Sequence, residues 1–212
     1  MESFDRKKHW ENIYSTKQLN EVSWYQPTPE TSLKFIEELN IPKTASIMDI
    51  GGGDSFLVDN LLQLGYQNIT VLDISKKAIE RAKLRLGKQS KNVKWIEADA
   101  SDFNPTEAYD LWHDRAAFHF LTKEQEIENY IKSAQKGVKD SGHLIIGTFS
   151  TDGPKKCSGI EITQYSESTL TKRFSKFKKV NCRLIEHETP FNTKQSFIFC
   201  TFKKPKINEP TQ

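Results

Sequence analysis

From position 43 onward, short runs of consecutive apolar residues alternate with stretches in which apolar positions recur every three or four residues. Ser46–Ile50 (SIMDI) reads as a buried strand and 56–64 as the helix that follows it. Asn68–Asp73 (NITVLD) is the second strand. Ser75 is placed to cap a helix running to about 86, with Ile79, Ala82 and Leu86 on one face and basic side chains outside. Strands follow at 92–97 and 109–113. Thr122, with Gln125 three residues on, has the spacing of a capping box for a helix to about 139, and Asp140-Ser141-Gly142 reads as the turn before a fifth strand at 143–149. A helix at 166–174 precedes two further strands, 180–186 and 195–202, joined through Pro190 and Asn192 and so expected to pair antiparallel.

Parallel neighbours need crossover connections, and the alternation of strands and helices supplies them. The pattern predicts an α/β fold: a Rossmann-like open sheet of seven strands, mostly parallel with an antiparallel C-terminal strand, and helices on both faces. A chain of 212 residues suits one core of this size. The expected layout is an N-terminal helix and aromatic segment over 1–42, one domain over 43–204, and a polar tail over 205–212. The first segment holds Trp10, Tyr14, Trp24 and Tyr25, which read equally well as core packing and as a cover over a site.

Ligands of open α/β sheets sit beyond the carboxyl ends of the strands, where the first turn here reads Asp49-Ile50-Gly51-Gly52-Gly53. Phe56 stands where a dinucleotide fingerprint would carry its third glycine, and no P-loop is present. Four further acids, Asp73, Asp99, Asp110 and Asp114, are expected at or just after strand ends. Asp73 follows Gly51 by 22 residues, close to the spacing of about 20 at which an acid meets a ribose hydroxyl in this architecture. A nucleoside without pyrophosphate, carrying positive charge, fits that set.

These residues resemble the class I S-adenosylmethionine-dependent methyltransferases. Asp49 to Gly53 is similar to the family's first motif, Asp73 to its ribose-binding acid, and Asp99-Ala100 to its adenine-binding pair. More narrowly, WHDRAAFHFLT and TFSTDGPKKCSG resemble a small bacterial-type subgroup. The resemblance implies S-adenosylmethionine as cofactor, held by Trp10, Tyr14, Trp24, Asp49, Gly51, Gly52, Gly53, Asp73, Ile74, Asp99, Ala100 and His113. Aromatic faces suit a sulfonium.

The end of the fourth strand offers His113, Asp114 and, farther on, His119 as groups for a substrate that must lose a proton. The alternative is that Asp114 pairs with Arg115 and caps the turn, with His119 partly buried. Tyr25, Arg115, Phe118, Cys157, Tyr165 and His187 complete the candidate acceptor site, a structural thiol being the other reading of Cys157. Base-modifying enzymes carry an Asn or Asp followed by two prolines and an aromatic where this chain has His113-Asp114-Arg115-Ala116, and the net charge is only +3; both argue against nucleic acid. Three cysteines without CxxC spacing point to neither a disulfide framework nor zinc, and no metal is expected. With no signal peptide or membrane-length apolar run, a cytoplasmic protein is expected, as a monomer or weak homodimer. The expected acceptor is a small molecule. A protein lysine and a non-catalytic cofactor-binding role are the competing readings.

Overall fold

A computed structural model describes residues 4–206; residues 1–3 and the last six of the expected tail lie outside the described residues. A single sheet of seven strands runs in the order β3-β2-β1-β4-β5-β9-β8. Its members are β1 (Ser46–Ile50), β2 (Asn68–Asp73), β3 (Val93–Glu97), β4 (Tyr109–Arg115), β5 (Val138–Phe149), β8 (Lys178–Glu188) and β9 (Lys194–Lys203). The first five pair in parallel, and β9 runs antiparallel between β5 and β8. The sheet is the one the hydrophobic pattern predicts, including its single antiparallel strand.

Both faces are buried, so successive residues of the central strands serve opposite cores. On β1 and β5, Met48, Ile50, Leu144 and Ile146 join Tyr130 and Ala134 of α5 (Glu124–Gly137) and Leu170 of α6 (Glu167–Arg173). Ile47 and Ile145 join Phe35 and Ile36 of α2 (Glu30–Glu38) and Leu57, Val58 and Leu61 of α3 (Leu57–Gln63) on the other side. Two more helices, α1 (Arg6–Thr16) and α4 (Lys76–Leu86), lie against each other. Among the described residues, no helix is long and apolar enough to cross a membrane.

Three local expectations are corrected. Lys123, not Thr122, precedes α5, and no side chain caps that helix. Asp140-Ser141-Gly142 does not end an element but forms a bulge inside β5: pairing with β4 jumps from Tyr109↔Val138 to Leu111↔His143, and Ser141 takes φ 63°. Cys182 and Cys200, whose spacing pointed to no disulfide framework, sit opposite each other on β8 and β9 with Cα atoms 4.1 Å apart and are joined as a disulfide. Cysteine spacing carries no information about strand register, which is what makes them partners. The loop after β5 also holds a two-residue hairpin, β6 (Lys156–Cys157) and β7 (Ile160–Glu161), turned by Ser158 and Gly159 at φ 51° and 81°.

Candidate active site

Strand order reverses between β1 and β4, and a cavity opens beyond their carboxyl ends. There the register sets Asp49 directly beside His113, and Asp49 Oδ1 accepts from His113 Nδ1 at 2.8 Å. A carboxylate only accepts, so Nδ1 carries the proton, and in the neutral ring Nε2 accepts from the Ser32 hydroxyl of α2 at 2.9 Å. Both ring nitrogens are therefore engaged. Asp49 Oδ2, by contrast, is buried and has no hydrogen-bond partner.

The glycine turn is shaped around that oxygen. Gly51 adopts φ 67°, which favours glycine, and its N–H donates to the Leu72 carbonyl at 2.7 Å. A Cβ on Gly52 would lie 2.6 Å from Asp49 Cγ and closer still to Oδ2. Gly53 is set back from the cavity wall and donates its N–H to Asp73 Oδ2 at 2.9 Å.

Asp73 ends β2, and its other oxygen accepts from Ser75 N–H at 2.8 Å. It forms no ion pair among the described residues; burial, partly offset by these two amides and joined by the repulsion of Asp49 and Asp54, pushes its pKa up to about 6. Ile74, Asp99 and Ala100 line the same end of the cavity. Both oxygens of Asp99 already receive Arg6 of α1, at 3.0 and 3.1 Å, and one also receives Ser101 N–H at 2.8 Å.

The N-terminal segment covers this rim. Trp10, Tyr14 and Trp24 pack edge-on or tilted against one another with ring centroids 5.8 to 6.4 Å apart, Trp10 rests on Phe120 at 4.9 Å, and all four line the cavity. Trp10, Tyr14 and Trp24 thus pack on one another and line the cavity at once. Polar contacts hold α1 in place: Arg6 also bonds Glu126 at 2.6 Å, and the Glu11 carboxylate accepts from Lys76 N–H at 2.7 Å at the start of α4.

Residues 47–142 match a family model described as a methyltransferase domain. Over that stretch, just under half of the chain, it is similar to methyltransferase domains. Among curated proteins, EEF1A lysine methyltransferase 2 of Danio rerio is 26% identical over 157 residues, covering 66% of each chain. Malonyl-[acyl-carrier protein] O-methyltransferase 1 of Ilyobacter polytropus is 32% identical over 114 residues, 53% of this chain and 40% of that one. The chain thus spans under two thirds of either relative. Among solved structures, a SAM-dependent methyltransferase from Anabaena variabilis superposes with TM-score 0.76 at 15% identity, over 95% of this chain and 96% of the other. N-methyltransferase NodS from Bradyrhizobium japonicum, in complex with S-adenosyl-L-homocysteine, does so with TM-score 0.71 at 18% identity, over 95% and 100%. At such identities the likeness is one of fold.

The fold brings some expected acceptor-site residues together and sends others into the core. Tyr25, Arg115 and Cys157 line the cavity. Asp114, placed by sequence among the catalytic groups, points to the opposite face of β4: it accepts from Ala117 and Phe118 N–H at 2.9 and 3.1 Å and from Tyr130 O–H at 2.6 Å. It caps that turn as the alternative reading had it, but without pairing with Arg115. Burial pushes its pKa up to about 6 against the pull of these donors. His119 is fully buried, stacks on Phe149 with centroids 4.5 Å apart, and is pushed down to about 3 by burial and then by the charge of Arg115. Phe118 and Tyr165 stack on each other inside the α5 core, 5.3 Å between centroids, and not on the cavity wall. His187 stands behind the wall, donating Nε2–H to the Ser23 carbonyl at 2.8 Å and accepting from Gln26 at 3.2 Å, so it fixes the loop that carries Trp24 and Tyr25.

Sequence reasoning missed several residues that the structure brings to the candidate site. Ser32 and Arg6 come from the N-terminal helices. Asp54, just past the glycines, is buried between Arg81 (2.9 Å) and Arg85 (2.7 Å) of α4 and braces the turn from below. The Asp-Ser-Phe that follows the glycines, together with arginines four apart on α4, was the available signal; the contacts of Ser32 and Arg6 left none.

Proposed function

We propose that the chain transfers the methyl group of S-adenosylmethionine to a small-molecule nucleophile. The observation that carries this is the unpartnered, buried Asp49 Oδ2, facing bare backbone at Gly52 at the switch point of the sheet. A buried carboxylate oxygen left without a donor is costly, and an ammonium group beside it removes the cost. The residues therefore fit the cofactor: Asp49 for its amine, Asp73 for its ribose, and Trp10, Tyr14 and Trp24 as the wall nearest its positive charge. When bound, the cofactor supplies an electrophilic methyl group on a sulfonium.

What the chain itself contributes is position and dryness. The His113 bridge from Asp49 to Ser32 locks the carboxylate's orientation, and the aromatic side chains on the cavity wall would shelter a bound cofactor from water. His113 acts here as a positioning residue. Protein lysine methylation is the second reading, favoured by the similarity to EEF1A lysine methyltransferase 2.

Calorimetric titration with S-adenosylmethionine and its demethylated product tests the proposal: both should bind with measurable heat and one-to-one stoichiometry, and silence toward both would end it. Asp73→Ala should weaken binding by about 1–3 kcal/mol, the cost of losing a hydrogen bond to a polar group. Binding should also depend on pH. Because Asp73 titrates near 6 in the free protein, it carries a proton below that value and offers one acceptor fewer; affinity should fall as pH drops below about 6, by up to about tenfold per unit. Asp73→Asn should flatten this profile, and a wild-type affinity constant from pH 5 to 8 would contradict the assignment.

A further inference from the structure

We propose that Arg115 anchors an acceptor subsite for a carboxylate, so that the molecule methylated is a small organic acid; this rests on the methyltransferase reading above. Arg115 lines the cavity two residues beyond His113 on the same face of β4. Its Nη1 donates to the Trp24 carbonyl at 3.2 Å, while Nη2 is shielded from solvent and has no partner. The other five arginines of the chain, Arg6, Arg81, Arg85, Arg173 and Arg183, each form an ion pair with a carboxylate. Arg115 alone, among the described residues, is a sequestered guanidinium without one.

A cation removed from water and left unneutralised is unfavourable, and the planar fork of arginine matches a carboxylate edge. The acids on the cavity wall are committed elsewhere: Asp54 to Arg81 and Arg85, Asp99 to Arg6, Asp73 to two backbone amides and Asp49 to His113. Asp54 Oδ2 has the Arg81 ion pair, so among the described residues of this wall Asp49 Oδ2 is the carboxylate oxygen with neither a hydrogen bond nor an ion pair, and it faces the glycine turn. Gln26 Oε1, on the same wall, is also buried and unpartnered, and can accept from an N–H or O–H of the acceptor. Tyr25, Phe149 and Phe197 supply apolar surface for its carbon frame. No lysine lines the cavity, so a monoanion matches the single free cation better than a phosphate dianion does. A lysine side chain would arrive as a second cation with no carboxylate to receive it.

The test uses wild-type protein saturated with S-adenosylhomocysteine, followed by thermal shift. Acetate and benzoate are titrated against their neutral counterparts acetamide and benzamide, with inorganic phosphate and methylamine as further arms. The carboxylates should reach half-maximal stabilisation at concentrations at least about tenfold below the amides. That advantage should survive in part in Arg115→Lys and vanish in Arg115→Gln, with S-adenosylhomocysteine affinity retained in both. Carboxylates no better than amides in the wild type, a preference for phosphate or methylamine, or an undiminished advantage in Arg115→Gln would each overturn the proposal. The wild-type comparison decides even if a variant fails to fold. Failure to bind S-adenosylhomocysteine at all would instead remove the methyltransferase reading beneath it.

Discussion

Replacing Gly52 with alanine is expected to lower affinity for S-adenosylhomocysteine by about a hundredfold or more, equivalent to roughly 2.7 kcal/mol. The added methyl carbon would stand 2.6 Å from Asp49 Cγ, far inside contact distance. Asp49 cannot swing away freely, because His113 holds its other oxygen at 2.8 Å and is itself held by Ser32. Either the carboxylate rotates off the position where it meets the ligand's amine, or the turn moves and drags Gly51 away from Ala117, on which it packs. Both outcomes strike binding before they strike the core, since the clash lies at the rim. Calorimetry and thermal melting on the same variant separate the two: a lowered melting temperature with unchanged affinity would contradict this account of the turn.

The second large effect is on stability. Asp114→Ala should cost about 2–3 kcal/mol, because it strands two backbone amides and the Tyr130 hydroxyl in a dry core. Three lost acceptor contacts alone would cost more, but removing a carboxylate that burial has pushed up to about 6 returns part of the loss. Asp114→Asn keeps an oxygen for the amides and should recover most of the stability. Turnover per folded molecule should be nearly unchanged in the Asn variant, since this side chain does not reach the cavity. A catalytic role would show instead as a collapse of turnover in Asp114→Asn without loss of stability. Chemical denaturation paired with a methyl-transfer assay distinguishes these outcomes.

Asp114 also shows where the sequence stops being legible. His113, Asp114 and Arg115 stand together in the chain at a strand end, and proximity alone groups them. The period of two along a strand divides them: His113 and Arg115 face the side of the sheet that holds Asp49, Asp114 the side that holds Tyr130. Strand and helix identities were readable because β1, β2 and α4 owe their form to local pattern and a capping serine; Asp73 and Asp99 were readable because they end or follow strands, whereas Asp110, expected with them, lies at the start of β4 and accepts from Ser46 N–H at 2.7 Å, away from the cavity. What decides the site's finer layout is register between distant segments. Ser32 meets His113 across 81 positions and Arg6 meets Asp99 across 93, and nothing near either residue announces it. The pairing of Cys182 with Cys200 likewise depends on the antiparallel alignment of β8 with β9. Phe118 and Tyr165, expected at the acceptor pocket, were drawn inward for the ordinary reason that large aromatics bury where a helix covers them.

The account depends most on what occupies the space beside Asp49 and Asp73. A crystal structure with S-adenosylhomocysteine bound measures it directly. The ligand's amine should lie within hydrogen-bond distance of Asp49 Oδ2, its ribose hydroxyls on Asp73, and its sulfur toward the face of β4 that carries Arg115. A nucleoside seated elsewhere, or an Asp49 Oδ2 still without a partner in the complex, would contradict it.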